Sequence, residues 1–446
     1  MTLAQLNELL AQRCDAEWVW IGEDIMAPLA RFITLQPGGP SHRRLLLIAD
    51  PVTWNIAGKA IDNHLLEAGH TVSRHLLSSS RAGGKAACDD EEVGLAVNQI
   101  RASDCDLVIA VGAGTVNDVA KLAAFRSERP YLVVATAPSM NGYTSSTAAV
   151  LSSGIKESAP CRGPIACVAD INLLCNAPYR MIAAGLGDLV SRTVSMADWY
   201  LSHRVLGTGY STLAIDLVEE SGRLCDGLGG EKLPQRNSVA VARLMGALLI
   251  SGQAMAQAGS SAPASGAEHL ISHYLDMTRD PRQPGELHGC QVGVATIATA
   301  ACYELLLAVE PTSSLNLAKR TASMPSWPQV EEELSLHFGE LAPALLPHAR
   351  EKNLSSVELH QRLVRMASEW PSIRAGLSPL LRPASAVREQ LSSAGAPVSF
   401  AAIGVDAVRA RDALWYCRHI RARYTVLDLA ADIGVLQDWT TALPLC

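Results

Sequence analysis

The sequence predicts an α/β N-terminal domain over residues 1–177 and an all-α C-terminal domain over residues 178–446. Two observations carry that division. Before residue 178, four short apolar runs alternate with stretches of helical spacing; after Pro178 the alternation gives way to long segments rich in Ala, Leu and Met. The apolar runs are Arg44–Asp50, Asp106–Val111, Tyr131–Ala135 and Ile165–Ala169, each short enough for a buried strand. Val116–Arg126, between two of them, has helical spacing. Strands separated by helices make parallel β-α-β units, and such units bind ligands at the carboxyl ends of the strands.

The remaining elements follow from the same reading. Met1–Cys14 reads as a short amphipathic helix without the basic-then-apolar order of a secretory signal. Arg180–Leu201 and Asn237–Ala258 show no strand-like alternation and read as helices, and Gly259–Gly266 interrupts the helical run with small residues and Pro263. Pro311–Pro347 mixes Pro, Ser and Glu without a clear period, and Ala407–Leu436 returns to a helical one. Cys290–Val309 is almost continuously apolar, but Glu304 interrupts it, and a helix buried inside a large helical domain has the same pattern. No membrane span is therefore expected.

Composition excludes some functions. A net charge of -7 leaves no basic surplus to neutralise a nucleic-acid backbone, and 5% aromatic residues supply few platforms for bases. The 11 cysteines are scattered and never form C-x-x-C, which fits reduced thiols in a cytoplasmic protein.

Several residues are placed to carry chemistry. Gly112, Ala113, Gly114, Thr115 and Val116 follow a predicted strand and open a predicted helix, where free backbone N–H groups suit a diphosphate; a tight turn would use the same glycines. Asn117 occupies the place of the third glycine of G-x-G-x-x-G, so the turn is not that fingerprint. Thr136, Ala137, Pro138 and Ser139 lead a hydroxyl-rich loop after the next strand, suited to a ligand or to a plain polar turn. Asp50 ends a strand, where a carboxylate holds a ribose hydroxyl or simply shapes the turn. His269 and His273 share a helical face, His288 precedes a glycine and the long apolar helix, and Asp188 follows Gly185-Leu-Gly at an expected helix start. One carboxylate and two imidazoles with an open position suit a divalent Lewis acid, whereas helix capping would also explain Asp188.

Taken together and in order, these segments resemble the sn-glycerol-1-phosphate dehydrogenase family, within the larger group of dehydroquinate synthase-like and iron-containing alcohol dehydrogenases. The matching runs are 112–121, 136–145, 184–188, Ala197-Asp-Trp-Tyr-Leu-Ser-His203, Ser265-Gly-Ala-Glu-His-Leu-Ile-Ser-His273 and His288-Gly-Cys-Gln-Val-Gly293. Arg409-Ala-Arg-Asp412 and Arg421-Ala-Arg-Tyr-Thr-Val-Leu-Asp-Leu-Ala430 resemble the ending of bacterial members. The resemblance implies a Rossmann-like α/β domain and a helical domain with the active site in the cleft between them. It implies interconversion of dihydroxyacetone phosphate and sn-glycerol 1-phosphate with NAD or NADP and one divalent metal: zinc, nickel or iron. Asp188, His269 and His288 match the metal ligands, and His273 matches a substrate contact that relays a proton. The turn at 112–116, Thr136–Ser139 and Ser145 match cofactor contacts, and Asp50 matches the acidic residue at the adenosine ribose. Lys156 is expected either at the substrate phosphate or as an exposed lysine. Asn141-Gly142 departs from the family's usual Asp-Gly, in which the Asp touches substrate; an amide keeps hydrogen-bonding capacity but loses the charge. A phosphonate, another ketone phosphate or an unphosphorylated polyol is the alternative substrate, and a cyclase that recycles NAD or a silent binding relative is the alternative function. The expected partners are a small phosphorylated or polyol substrate, with a homo-oligomer left open.

Overall fold

A computed structural model describes residues 1–35, 42–78, 86–228, 230, 232–280, 285–308 and 317–443. Six parallel strands form the main sheet: β1 (Trp18–Gly22), β2 (Arg44–Ala49), β3 (Thr71–Leu76), β4 (Leu107–Gly112), β5 (Tyr131–Ala135) and, after an intervening hairpin, β8 (Ala166–Asp170). Their order across the sheet is β1-β8-β5-β4-β2-β3. A separate antiparallel hairpin joins β6 (Thr147–Ser152) to β7 (Ile155–Pro160). The four expected strands are present as β2, β4, β5 and β8. All are buried nearly along their whole length, because helices cover both faces of a parallel sheet. Leu46, Ile48, Val108 and Ala110 pack on one face, and Leu45, Leu47, Ile109 and Val111 on the other.

Of the strands not expected, β1 is itself a five-residue apolar run, Trp-Val-Trp-Ile-Gly, whereas β3, β6 and β7 lack that continuous apolar signature. β3 is an edge strand with exposed or half-buried residues throughout, and Arg74 pairs with Asp62 beside it. β6 and β7 turn through Ser153 and Gly154, both with positive φ (50° and 81°), the geometry of a tight two-residue hairpin.

After Asp170 the described residues form helices and connecting loops. Tyr179–Val190, Arg192–Leu206, Ser238–Ala258, Ala267–Met277 and His288–Ala308 build the core of this half. Ser238–Ala258 and His288–Ala308 are long and apolar enough to cross a membrane, yet 83% and 78% of their most apolar windows are buried inside the molecule. Of the Pro311–Pro347 stretch, residues 311–316 lie outside the described residues, as does Val309. Trp327–Phe338 is a helix with a Ser326–Gln329 capping box, and Pro347 lies inside the helix Ala342–Lys352. Val426–Ile433 near the end packs against His288–Ala308.

Candidate active site

The strand order reverses between β2 and β4: β3 lies beyond one and β5 beyond the other. In open α/β sheets that switch point opens a crevice at the strands' carboxyl ends. Ala49 of β2 pairs with Val111 of β4, so Asp50 and Gly112 emerge side by side there. Gly112 leads into the helix Gly114–Arg126, whose Ala113 N-cap supplies no side-chain bond. The first-turn N–H groups at Gly114, Thr115 and Val116 are thus left for a ligand. Thr115 is exposed, while Ala113 and Gly114 are half-buried. A Cβ on Gly112 would sit 2.5 Å from Val116, so this glycine is needed for close helix–strand packing.

The neighbouring loop is fastened to this turn. Thr136 donates its backbone N–H to Gly112 at 3.1 Å, Tyr143 donates its hydroxyl to Ala137 O at 2.7 Å, and Met140 lies over Gly114. Pro138 is buried and Ser139 is half-buried. Ser145 is turned inward, its hydroxyl bonded to Gly142 O and Thr147 O and 3.1 Å from Lys121 Nζ. Lys121, fully buried, also donates to Gly142 O and Thr147 O. This lysine anchors the loop from below and was not singled out in the sequence, although it closes the 112–121 run. Asp50 accepts the N–H groups of Val52 and Thr53 at 2.8 Å each through Oδ1, capping the helix that begins at Pro51.

Across the crevice, Asp188, His269 and His288 come together. One ligand-type atom from each lies within 4.8 Å of the others. Asp188 lies near the end of the helix Tyr179–Val190, which corrects its expected place at a helix start and removes the capping explanation. The preceding glycines account for the placement. A Cβ on Gly185 would meet Pro138 O at 1.9 Å, and one on Gly187 would meet Gly289 O at 2.1 Å. Gly185 therefore admits the loop that follows β5, and Gly187 admits the helix carrying His288.

Each ligand atom is aimed by a neighbour. Asp188 Oδ2 accepts the backbone N–H of Asn141 at 2.8 Å, while Oδ1, buried, has no hydrogen-bond partner. That oxygen faces Nε2 of His269 at 3.4 Å and Nε2 of His288 at 4.0 Å. His269 Nδ1 meets the buried Glu268 carboxylate at 2.8 Å, and His288 Nδ1 meets Ser272 Oγ at 3.0 Å. Outer partners of this kind fix imidazole orientation and basicity at metal sites.

The electrostatics match. Burial raises the Asp188 pKa, but the close approach of His269 Nε2 and the charge of His288 outweigh it and hold the carboxyl below its ordinary range. His269 is raised: burial opposes the shift, and Asp188 and Glu268 overcome it. His273 is pushed well below its ordinary value by burial and then by Arg421 and Lys156, and His288 is lowered by burial and Lys156. Neutral imidazole is the form that donates a lone pair. His273 is buried, its ring 6.2 Å from that of His269 and 5.8 Å from that of His288, and its Nδ1 has no partner. Asn141 Nδ2, beside Asp188, is likewise buried and unpartnered. Lys156 Nζ pairs with Asp276 Oδ2 at 2.5 Å.

Asp198 was also missed as an individual residue. It is buried and accepts the backbone N–H of Ala267 and of Val426 at 2.7 Å each and the Tyr303 hydroxyl at 2.6 Å. It thereby ties the His269 helix to the His288 helix and to the final helices. Its Ala-Asp-Trp run was visible in the sequence, but nothing local showed which helices it joins.

The donor set, one carboxylate oxygen and two imidazole nitrogens around an orphaned buried oxygen, fits a divalent cation. The uncapped helix start at the switch point fits the diphosphate of a dinucleotide.

Known proteins agree with this reading. Residues 20–178 match the iron-containing alcohol dehydrogenase family. The fold is shared with a probable glycerol dehydrogenase from Sinorhizobium meliloti, at a TM-score of 0.60 and 16% identity over 96% of this chain and 98% of that one. Glycerol-1-phosphate dehydrogenase (NAD(P)+) of Bacillus velezensis is 31% identical over 427 residues, covering 94% of this chain and 92% of the relative. Glycerol-1-phosphate dehydrogenase (NAD(P)+) of Thermococcus sibiricus is 36% identical over 287 residues, 64% of this chain and 77% of the relative. The chain belongs to the glycerol-1-phosphate dehydrogenase family.

Proposed function

We propose that the protein is a metal-dependent, NAD(P)-linked oxidoreductase that interconverts dihydroxyacetone phosphate and sn-glycerol 1-phosphate in the cytoplasm. The observation that carries the reading is Asp188 Oδ1, a buried carboxylate oxygen with no hydrogen-bond partner, facing Nε2 of both His269 and His288. In this reading residues 1–177 bind the dinucleotide and residues 178–446 supply the metal ligands and His273.

A divalent cation on Asp188, His269 and His288 supplies Lewis-acid polarisation of the substrate oxygen, and NAD(P)H supplies the hydride. The chain's own groups do the rest. Gly114, Thr115 and Val116 present N–H groups to the diphosphate, with Thr136–Ser139 lining the same crevice. Asp50 lies at the switch point, and with Oδ1 engaged in capping the next helix its other oxygen is the one for a ribose hydroxyl. Ser145 acts through Lys121 and the loop carbonyls rather than by direct contact. His273, whose buried Nδ1 has no partner, takes the alcohol proton on oxidation and returns it on reduction. Asn141 Nδ2 donates to a substrate oxygen, a role an amide fills without the negative charge of the Asp more usual there.

The test is NADH or NADPH oxidation by the purified protein with dihydroxyacetone phosphate after loading with zinc, nickel or iron, beside a panel of unphosphorylated ketones. Metal-dependent turnover of the ketone phosphate is expected. Equal turnover after complete metal removal, or no turnover of the ketone phosphate with either cofactor, would overturn the reading.

A further inference from the structure

Lys156, the cation expected at a substrate phosphate, is electrically spoken for. Its ammonium meets Asp276 Oδ2 at 2.5 Å, and Asp276 Oδ1 accepts from Gln291 Nε2 at 3.1 Å. Gln291 in turn accepts from Ser272, whose hydroxyl contacts His288. Lys156 and Asp276 are thus a neutral pair built into the frame around the histidines.

Arg421 differs. It comes from the loop before the helix Val426–Ile433, and its Nη2 donates to the backbone carbonyl of Lys156 at 3.0 Å. No carboxylate lies within ion-pair distance of it among the described residues, and Glu157, the acid that acts on it through space, is exposed on β7. Arg421 is the foremost charged influence on His273 and also acts on His288. Two residues on, Arg423 bonds to Ser265 O and Ser261 Oγ at the start of the His269 helix, which pins the loop against the site. A largely desolvated guanidinium whose partner is a neutral carbonyl, fastened to the residue that begins the Asp276–Gln291–Ser272 frame behind His288, attracts an anion. Its planar fork suits two oxygens of a phosphate.

We propose that Arg421 is the residue that binds the substrate's phosphate dianion, with its guanidinium held in place by the Lys156 carbonyl while Lys156 itself remains paired to Asp276. This rests on the function proposed above but can be tested apart from it. Arg421→Gln, Arg421→Lys and Lys156→Ala are compared in the metal-loaded protein by calorimetric titration with inorganic phosphate, and in turnover of dihydroxyacetone phosphate and of dihydroxyacetone. Loss of a charge-assisted contact should weaken phosphate binding and raise KM for the ketone phosphate by about 10–100-fold in Arg421→Gln, with kcat moved far less. Arg421→Lys should recover part of that loss, and Lys156→Ala should cost less than Arg421→Gln. The rise in KM should be much smaller for the unphosphorylated ketone than for the ketone phosphate. Equal phosphate affinity in wild type and Arg421→Gln, or a larger loss in Lys156→Ala, would overturn the assignment. If wild type binds phosphate through Arg421 yet turns over no ketone phosphate, the anion site stands and the proposed reaction falls. If folded wild type binds no phosphate, the anion site falls whatever the turnover.

Discussion

The two sides of the crevice are built on different principles. The nucleotide side is made of consecutive residues: a strand ends, a turn follows, and a helix begins, with 112–116 and 136–139 fastened by one backbone hydrogen bond from Thr136 to Gly112. The metal side is made of single residues from three helices, Asp188, His269 and His288, joined by contacts between distant residues: Gly187 against Gly289, Ser272 on His288, and Asp198 on Ala267 and Tyr303. A contiguous site inherits its geometry from local structure. A dispersed site depends on helix packing, so it should fail first when packing is disturbed.

The largest effect expected is that of His269→Ala. Removing this ligand should abolish retention of a divalent metal and lower turnover by about a thousandfold or more. NADH affinity, measured by fluorescence titration, should stay within about threefold, which corresponds to less than about 0.7 kcal/mol. A parallel loss of nucleotide binding would show the two sides to be one unit.

Gly187→Ala tests the packing claim without touching a ligand. Its methyl would stand 2.1 Å from Gly289 O, which forces the two helices apart. Overpacking of this kind costs about 1–3 kcal/mol of stability, read in thermal or denaturant unfolding, and metal affinity should drop more than nucleotide affinity. The converse variant is Gly112→Ala. Its methyl would meet Val116 at 2.5 Å and displace the helix start, so NAD(P)H should bind about tenfold more weakly while metal content is unchanged.

The smallest effect is in pH dependence, and it too separates the sides, because residues 50, 112–116 and 136–145 include no histidine. His273, His288 and His419 are all held below the ordinary histidine value, chiefly by burial. As pH falls below about 6.5, the unfolded chain takes up protons at these positions that the folded chain refuses. Stability of the metal-free protein should therefore decline on acidification through that window. His269 opposes the trend, since its raised pKa contributes stability below its unfolded value that is lost as pH rises through the folded one. Melting temperatures from pH 5 to 7.5 check the net sign, and a rise on acidification would contradict it. Nucleotide affinity over the same range should change little.

What the sequence determined by itself follows this contrast. The continuous apolar strands β2, β4, β5 and β8, the long helices after residue 178 and the glycine turn at 112–114 were all legible, because hydrophobic period and turn chemistry are local properties. The polar edge strand β3 and the β6–β7 hairpin carry no such period and emerged only once their neighbours were in place. His269 and His273 share a face by helical spacing alone, but pairing them with Asp188 and His288 needed family resemblance. Tertiary structure alone moved Asp188 from a helix start to a helix end, gave Lys156 its Asp276 partner, and set Arg421 on the Lys156 carbonyl. The physical reason is that burial and charge pairing are set by residues distant in the chain, whose approach depends on which backbones can touch.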